Sequence, residues 1–571
     1  MGDRMTGIPI EKLINQVFTE YERYKTIFGI PEKFFWLEEG ANPFNYCGEK
    51  LALPLGPAAG PHTQLAQNLA AAYLAGGRFF ELKTVQVVDN LEFPKPCINA
   101  EDECYNTEWS TELSIEAAFD EYIKGWFLIH LISTEFLKLK ERTFVFNMSV
   151  GYDLAGIQSP KVDWFIEGMK NASSAAIFGE CKDAMRLNLP RCKNVDENYI
   201  NSISPNICSS IALSTMHGCP PPEIEAICGY LLTDKQLNTQ VKLNPTLLGY
   251  DFVRHTLDKM GYSHIELTEE SFSADLRYDE AVLMLEKLIE LAATGSREFG
   301  VKLSNTLPVK ITRGELPGEQ MYLSGKPLYA LTINLAAKLA GDFGNKLKIS
   351  YSGGADRHNL AQIVSTGIQP VTVVSTLLKP RGYLRLKKLA EITAETGGLS
   401  QAGIDMGKLK QVAADAVADS AFHKKEKKVR TYKPLPLFDC RESCSMCTDV
   451  CPNRANVRVL LVDDHFKHGQ QILHLDGLCN ECGNCATFCP EMGRPYLEKL
   501  TYFPSEEDFS NSSNNGFLLK ENTPEAALKI RIKNKVLELS SADNAQGNEQ
   551  KADRAVLKMI DCVCNNYEYL L

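Results

Sequence analysis

Two cysteine runs constrain this chain more than any other feature: Cys440, Cys444, Cys447 and Cys451-Pro452 in DCRESCSMCTDVCP, then Cys479, Cys482, Cys485 and Cys489-Pro490 in LCNECGNCATFCP. Three closely spaced thiolates with a fourth before a proline are the ligand pattern of paired 4Fe-4S clusters, in which the fourth cysteine crosses to the other cluster. The spacing groups Cys440, Cys444, Cys447 and Cys489 on one cluster, and Cys479, Cys482, Cys485 and Cys451 on its partner. Paired Cys-x-x-Cys units also build structural zinc sites, which require no Cys-Pro. The runs differ at one point: the first opens with a three-residue gap where the second has two. Such a segment folds around its clusters and handles electrons one at a time.

The chain has 571 residues, 44% hydrophobic and 23% charged, with a mean hydropathy of -0.19. On a prior of ~150 residues per domain this is three or four domains, although a barrel absorbs more. No apolar run reaches the ~18 residues of a membrane helix. The first residues, MGDRMTGIPIEKLINQ, lack an apolar core with a small-residue cleavage site, so export is not expected. Of eighteen cysteines, eight belong to clusters that a disulfide-forming compartment would endanger, which implies a cytoplasmic, oxygen-poor setting. A net charge of -11 and a pI near 5.6 argue against a nucleic-acid binder. The one basic run, His423 to Arg430, reads as a solvated linker between domains, with a docking patch as the sharper alternative.

Residues 50 to 390 alternate short β-rich segments with longer helical patterns, which predicts parallel strands joined by crossover helices. Candidate strands are LALPL (51–55), FFELK (79–83), FVFNM (144–148), SIALS (210–214), QVKLN (240–244), HIELT (264–268), GVKLS (300–304), KISYS (348–352) and VTVVS (371–375). Several are near-continuous apolar runs, as expected of strands buried on both faces. Nine candidates for an eight-stranded (β/α)8 barrel leave one extra, either HIELT or GVKLS. The expected fold class is α/β: a TIM barrel over residues 1–425, with an N-terminal helical extension and a helical insertion near 155–205. A linker (426–435), a small α+β ferredoxin-like domain with both clusters (436–502) and a polar tail (503–571) follow.

The strand ends carry the chemistry, where such a barrel places its active site. Small residues, Gly56, Ala58, Ala59 and Gly60, let a planar ring lie against the first strand. Gly353-Gly354 and Ser375-Thr376 follow the last two strands, where barrel phosphate sites use backbone N–H groups. Lys83, beside Thr84, and Lys242 lie in strand segments where a charge needs a partner; Lys302 rivals Lys242 for the same role.

These residues resemble a known set. The stretch LSNTLPVKITRGELPGEQMYLSGKPL, followed by ISYSGGAD and VVST, is similar to the FMN barrel of dihydroorotate dehydrogenases and the pyrimidine-reducing half of dihydropyrimidine dehydrogenase. From about residue 5 to 435, the runs GPAAGPHTQLAQN, GGRFFELKTVQ, KPCINAEDECYNTEWSTE, FNMSVGY, LSTMHGCPPPEIEAIC and VKLNPTLLGY resemble the N-terminal part of the selenate reductase family. The resemblance implies FMN held by Ala59, Gly60, Lys83, Thr84, Lys242, Asn305, Ser324, Gly325, Gly353, Gly354, Ser375 and Thr376. It implies substrate contacts from Asn106, Asn147, Asn244, Asn305 and Thr306. Cys219, in MHGCPPPE, matches the acid-base cysteine of the dehydrogenase loop, with Lys83 and His217 as further catalytic candidates.

Longer members of that family continue into an FAD- and NADPH-binding half, but no Gly-x-Gly-x-x-Gly follows a strand here. Electrons are therefore expected from an FAD/NAD(P)H-binding flavoprotein subunit in a hetero-oligomer, or from reduced ferredoxin. The sequence reads as a subunit that reduces an oxidised nucleobase. The family's association with anaerobic purine breakdown favours urate or a dioxopurine over a pyrimidine. Selenate reduction and a purely electron-transferring subunit stand as alternatives. Cys562 and Cys564, in CVC near the C-terminus, read as incidental.

Overall fold

The computed structural model describes all residues except 1–3, 38–43, 90, 108–109, 216, 397–402, 427–429, 441–443, 520–527 and 540–552. Eight strands form its centre: β1 (Leu55–Pro57), β2 (Phe79–Glu81), β3 (Val145–Val150), β4 (Ser210–Leu213), β5 (Asn238–Leu243), β6 (Phe299–Leu303), β7 (Lys348–Tyr351) and β8 (Val371–Val373). They lie parallel in the order β1-β8-β7-β6-β5-β4-β3-β2. The ends of this sheet meet: the Arg78 N–H, one residue before β2, donates to the Leu55 carbonyl at 2.8 Å. Gly56 makes that approach possible, because a Cβ there would sit 1.7 Å from the Phe79 carbonyl oxygen. Arg78 is fully buried, with its guanidinium over Tyr73 and Trp36 and donating to the Tyr73 and Gly77 carbonyls.

Eight of the nine expected strands belong to the barrel, and the extra one is HIELT. Residues 264–268 form turns and irregular chain: the Arg254 guanidinium takes the Ile265 carbonyl at 2.6 Å and that of Tyr262, just before the segment, at 3.1 Å, and a single N–H, that of Lys310, reaches the Glu266 carbonyl. The first strand lies a few residues later than expected. Leu51 instead ends a hairpin (Phe44–Tyr46 with Glu49–Leu51) whose Tyr46 packs on Phe79 at the bottom of the barrel. The helix Ile115–Glu135 starts at a Ser114 side-chain cap and is buried almost all round because neighbouring helices cover it. Each large side chain it fully buries contributes about 1.5–3 kcal/mol. The insertion near 155–205 is helical, with elements Pro160–Lys170, Ala176–Leu187 and Glu197–Ser202.

Two excursions meet above the barrel mouth. Strands Ile98–Asn99, Cys104–Asn106, Gln320–Ser324 and Leu307–Lys310 pair antiparallel into a four-stranded sheet. Described residues of the basic run contact the turn inside this sheet while Lys425, Glu426 and Arg430 stay exposed. Lys424 pairs with Glu103 at 3.2 Å and Arg430 with Glu101 at 3.2 Å, and the Lys425 N–H donates to Asp102 at 3.1 Å.

The cysteine-rich segment sits on the same side. Its six-stranded sheet runs Asn456–Leu460, Gln470–Leu475, Leu500–Tyr502, Gly516–Leu519, Leu528–Ile532, Lys535–Leu539. The last three strands come from the stretch expected to be a polar tail, in which the run LKIRIKNKVLELS reads as strand-like and supplies two of them. Its polar composition hides apolar anchors: Phe509, on a helix capped by Ser505, is 1% exposed, and Phe517 and Ile530 are fully buried. Residues 540–552 of that tail lie outside the described residues. The helix Arg554–Asn566 leads into a C-terminal turn that packs on the helix Ile10–Tyr24, where Tyr567 stacks on Tyr24 and Glu568 pairs with Arg23 at 2.7 Å. Among the described residues no helix is long and apolar enough to cross a membrane.

Candidate active site

A cavity of about 490 Å³ occupies the mouth of the barrel, within the size range of small-molecule and cofactor sites. It is lined by strand ends. Ala58, Ala59 and Gly60 follow β1; Glu81, Lys83 and Thr84 lie at and beyond the end of β2; Asn305 and Thr306 follow β6; Gly353 and Gly354 follow β7; Ser375 follows β8. The overlying sheet adds Ile98, Cys104, Asn106, Tyr322 and Ser324, with Gly325 just beyond it. Of the residues expected at the site, Thr376, Asn147, Asn244 and Cys219 lie outside this lining. Asn147 points into the sheet and accepts from the Ser210 hydroxyl at 2.6 Å.

The floor of the cavity is a charge cluster that sequence reasoning saw only in part. Lys242 and Lys302 are direct cross-strand partners on β5 and β6, so the rival candidates stand side by side. Like charges in that position repel. Glu81, fully buried, answers both: its carboxylate is 2.7 Å from the Lys242 ammonium and in contact with that of Lys302. Burial, and after it the positive charge of Lys83, pushes the Lys242 ammonium down to about 7, and burial pushes Lys302 well down; the Glu81 carboxylate pulls against both effects. The signal for Glu81 was present in the sequence. Residues two apart on a strand share a face, so Glu81 and Lys83 face inward together.

At the opposite end of the lining the backbone is arranged for a phosphate. Gly354 has φ +66°, and a Cβ there would lie 2.5 Å from the Gly325 carbonyl oxygen, so a side chain is excluded twice over. A Cβ on Gly353 would lie 2.2 Å from the Thr332 hydroxyl. The Ser324 and Ser375 hydroxyls meet at 3.2 Å across this loop. Small residues, a cationic floor and a glycine-serine loop together fit a planar ring that carries a phosphate ester.

The loop after β4 carries His217 and Cys219. His217 lines the cavity, stacks parallel to Tyr322 at 5.9 Å, and places Nδ1 3.0 Å from Asp275 Oδ2. Asp275 lies 58 residues further along the chain and also accepts from Gly218 N–H, Asn244 and Thr246 at 2.7–3.0 Å. Burial works against its charge, yet His217 and these donors hold its carboxyl below the usual carboxylate range. Cys219 faces a small adjoining void with Thr215, Lys242, Asn244 and Asp275, and burial followed by the charge of Glu223 pushes its thiol up to about 11. No sequence signal marked Asp275.

The cysteines of the two runs gather in the crossed pattern. Cys451, Cys479, Cys482 and Cys485 line one small void. Cys447, raised first by burial, is raised further by Cys440 and Cys444 and also by Cys489, so these four are electrostatic neighbours. Among the described residues no three metal-ligating side chains close on a point that would hold a single ion. A four-iron cluster uses a wider ring, because each thiolate binds a different iron. The donor sets fit such clusters. The second group touches the cavity wall: the Cys482 carbonyl accepts from the Cys97 and Ile98 N–H groups, and Asn484 donates to the Leu378 carbonyl at 2.8 Å.

Residues 28–425 match the family described as oxidoreductase YgfK, N-terminal TIM-barrel domain. The chain is 45% identical over 472 residues to the protein provisionally named oxidoreductase YgfK in Escherichia coli strain K12, and equally to that of Escherichia coli O157:H7. Each match covers 80% of this chain and 46% of the relative, so the chain spans about half the length of these curated relatives. Among solved structures, ligand-free DHODH from Eimeria tenella aligns with a TM-score of 0.39 at 14% identity, covering 69% of this chain and 96% of that one. DHODH from the same organism in complex with ferulenol aligns with a TM-score of 0.37 at 14% identity, covering 68% and 91%.

Proposed function

The chain belongs to the YgfK oxidoreductase family, and from that premise we propose that it is an FMN- and iron-sulfur-dependent subunit that reduces an oxidised nucleobase, a purine such as urate or a dioxopurine. The observation that carries this reading is the junction of cavity and cysteine domain: Ile98 lines the cavity and donates its N–H at 2.9 Å to Cys482, a member of the second thiol group. A relay with no substrate of its own would not need the polar set that shares this cavity.

In this reading Cys440, Cys444, Cys447 and Cys489 hold one 4Fe-4S cluster, and Cys451, Cys479, Cys482 and Cys485 hold the other. Gly353, Gly354, Gly325, Ser324 and Ser375 hold the phosphate of FMN, with Thr376 beside them; Ala59, Gly60 and Thr84 border its ring. A bound flavin supplies the two-electron hydride chemistry that single-electron clusters cannot. Lys83, Lys242 and Lys302 line this floor with Glu81, and negative charge on a reduced ring or on the substrate would favour the protonated lysines against the burial that lowers Lys242 and Lys302. Urate is an anion at neutral pH and uracil is not, which favours the purine. Asn106, Asn305 and Thr306 present donors and acceptors to a heterocycle edge. A proton comes from the loop after β4, where Cys219 and His217 are the candidates. Electrons reach the clusters from an FAD/NAD(P)H-binding flavoprotein subunit or ferredoxin, in an oxygen-poor cytoplasm.

The test is anaerobic. The protein is purified with whatever accompanies it, flavin, iron and sulfide are quantified, and urate, uracil and selenate are added separately to the dithionite-reduced form while flavin absorbance is followed. Reoxidation by a purine supports the proposal. Reoxidation by selenate alone, or by nothing despite about eight irons per chain, removes it.

A further inference from the structure

Resting on the reading of this cavity as a reductase site, we propose that His217 is the residue that delivers the proton to the heterocycle, and that Asp275 is a positioning residue fixing the imidazole so that Nε2 faces the cavity. Geometry carries the assignment. An ionised carboxylate only accepts hydrogen bonds, so with Asp275 Oδ2 at 3.0 Å from Nδ1 the hydrogen of the neutral imidazole resides on Nδ1, and the Asn244 amide, 3.2 Å from Nδ1 and 3.0 Å from the same Oδ2, donates to the carboxylate. Nε2 is then the atom left for exchange. Asp275 is itself fixed, being 5% exposed and accepting from Gly218 N–H at 2.7 Å, Thr246 at 2.9 Å and Asn244 at 3.0 Å. The Tyr322 ring stacks on the imidazole at 5.9 Å and 15°, which restricts its rotation. Cys219 has no comparable alignment and opens on the adjoining void instead of the main cavity.

The step balances simply. As the ring C=N of the substrate receives a hydride at carbon, the Nε2–H bond of the imidazolium breaks and an N–H bond forms on the substrate, with the electron pair left on the imidazole. The hydride is the two-electron equivalent assigned above to the bound flavin, and solvent restores the proton, since the His217 side chain is 23% exposed. The other titratable groups around the pair are Cys219 and Lys242, which share the void with Asp275, and Tyr322.

Two measurements on the reduced holoprotein test this. In stopped-flow reoxidation by urate, the wild-type rate should fall as pH rises, because a proton donor is consumed in the step. Asp275→Asn should lower the rate roughly 100-fold or more and move the falling limb toward lower pH, while urate affinity changes less than about threefold. His217→Gln should abolish the limb. A limb that persists in His217→Gln and disappears in Cys219→Ser overturns the proposal. Independently of turnover, 15N-histidine labelling should show His217 as the Nδ1–H tautomer in the wild type and as a mixture in Asp275→Asn; a mixture in the wild type overturns it too. If no heterocycle reoxidises the protein, the reductase reading fails while the labelling result still decides the pair.

Discussion

The Ile98 N–H donates to the Cys482 carbonyl at 2.9 Å, so a wall of the barrel cavity and a cysteine of the second thiol group are one hydrogen bond apart. The contact depends on Gly483. Its φ is +82°, and a Cβ there would fall 2.4 Å from Pro96. Gly483→Val should lift the cysteine domain from this wall without removing a thiolate. Iron content should stay at wild-type level, while electron transfer from dithionite-reduced clusters to the flavin slows at least tenfold. Equal cluster and flavin kinetics in the two proteins would show that electrons do not cross here.

Glu81 gives a second prediction, on stability. It is fully buried and is the counter-ion of two paired lysines, and removing one partner of a buried ion pair costs about 3–5 kcal/mol. Glu81→Gln should lower the urea midpoint accordingly. Glu81→Gln combined with Lys302→Met should recover much of the loss, because the stranded charge goes too. If the double variant is no more stable than the single one, the carboxylate is not what makes the second lysine tolerable.

Much of this architecture is readable in the residues, and the exceptions have physical causes. Strands β3 to β8 announce themselves as short β-rich segments buried on both faces, with polar side chains such as those of Lys242 and Lys302 turned to the cavity. HIELT has the same composition, but the Arg254 guanidinium takes its Ile265 carbonyl, a tertiary event with no local signature. Of the three added strands of the cysteine domain, the two in LKIRIKNKVLELS read as strand-like, whereas Gly516–Leu519 follows directly on the Ser- and Asn-rich stretch that hid it. In the site, the glycine loops and Lys83 were legible as motifs. Asp275 was not, since 58 residues separate it from His217 and only the fold brings them together.

Lys242 predicts a pH dependence of stability. Burial lowers its ammonium to about 7 in the folded chain, from an ordinary value near ~10.4. Below about 7 both folded and unfolded chains carry the proton, and the folded state bears the full cost of a buried charge. Between the two values the unfolded chain binds more protons, so this group makes stability rise with pH, by at most about 1.4 kcal/mol per unit. Glu81 opposes the shift, which narrows the pH window over which this slope applies. Lys242→Met removes the group, so its stability relative to wild type should be greatest near neutrality and decline toward pH ~10. A difference that stays constant across that range would refute the assignment.

The crossed grouping of thiols makes a prediction about iron that no uncrossed arrangement shares. Cys451 belongs by sequence to the first run, yet it lines one void with Cys479, Cys482 and Cys485. Cys489 belongs to the second run, yet its charge raises Cys447, as do those of Cys440 and Cys444. Removing two ligands of one cluster should cost no more iron than removing one. Cys451→Ala with Cys479→Ala should therefore leave about four irons per chain, as either single variant does, whereas Cys451→Ala with Cys447→Ala should leave almost none. If each run instead held its own cluster, the two double variants would exchange results. Iron and sulfide assays on anaerobically reconstituted protein, with electron paramagnetic resonance to count the reducible clusters, distinguish the two patterns without any need to know the substrate.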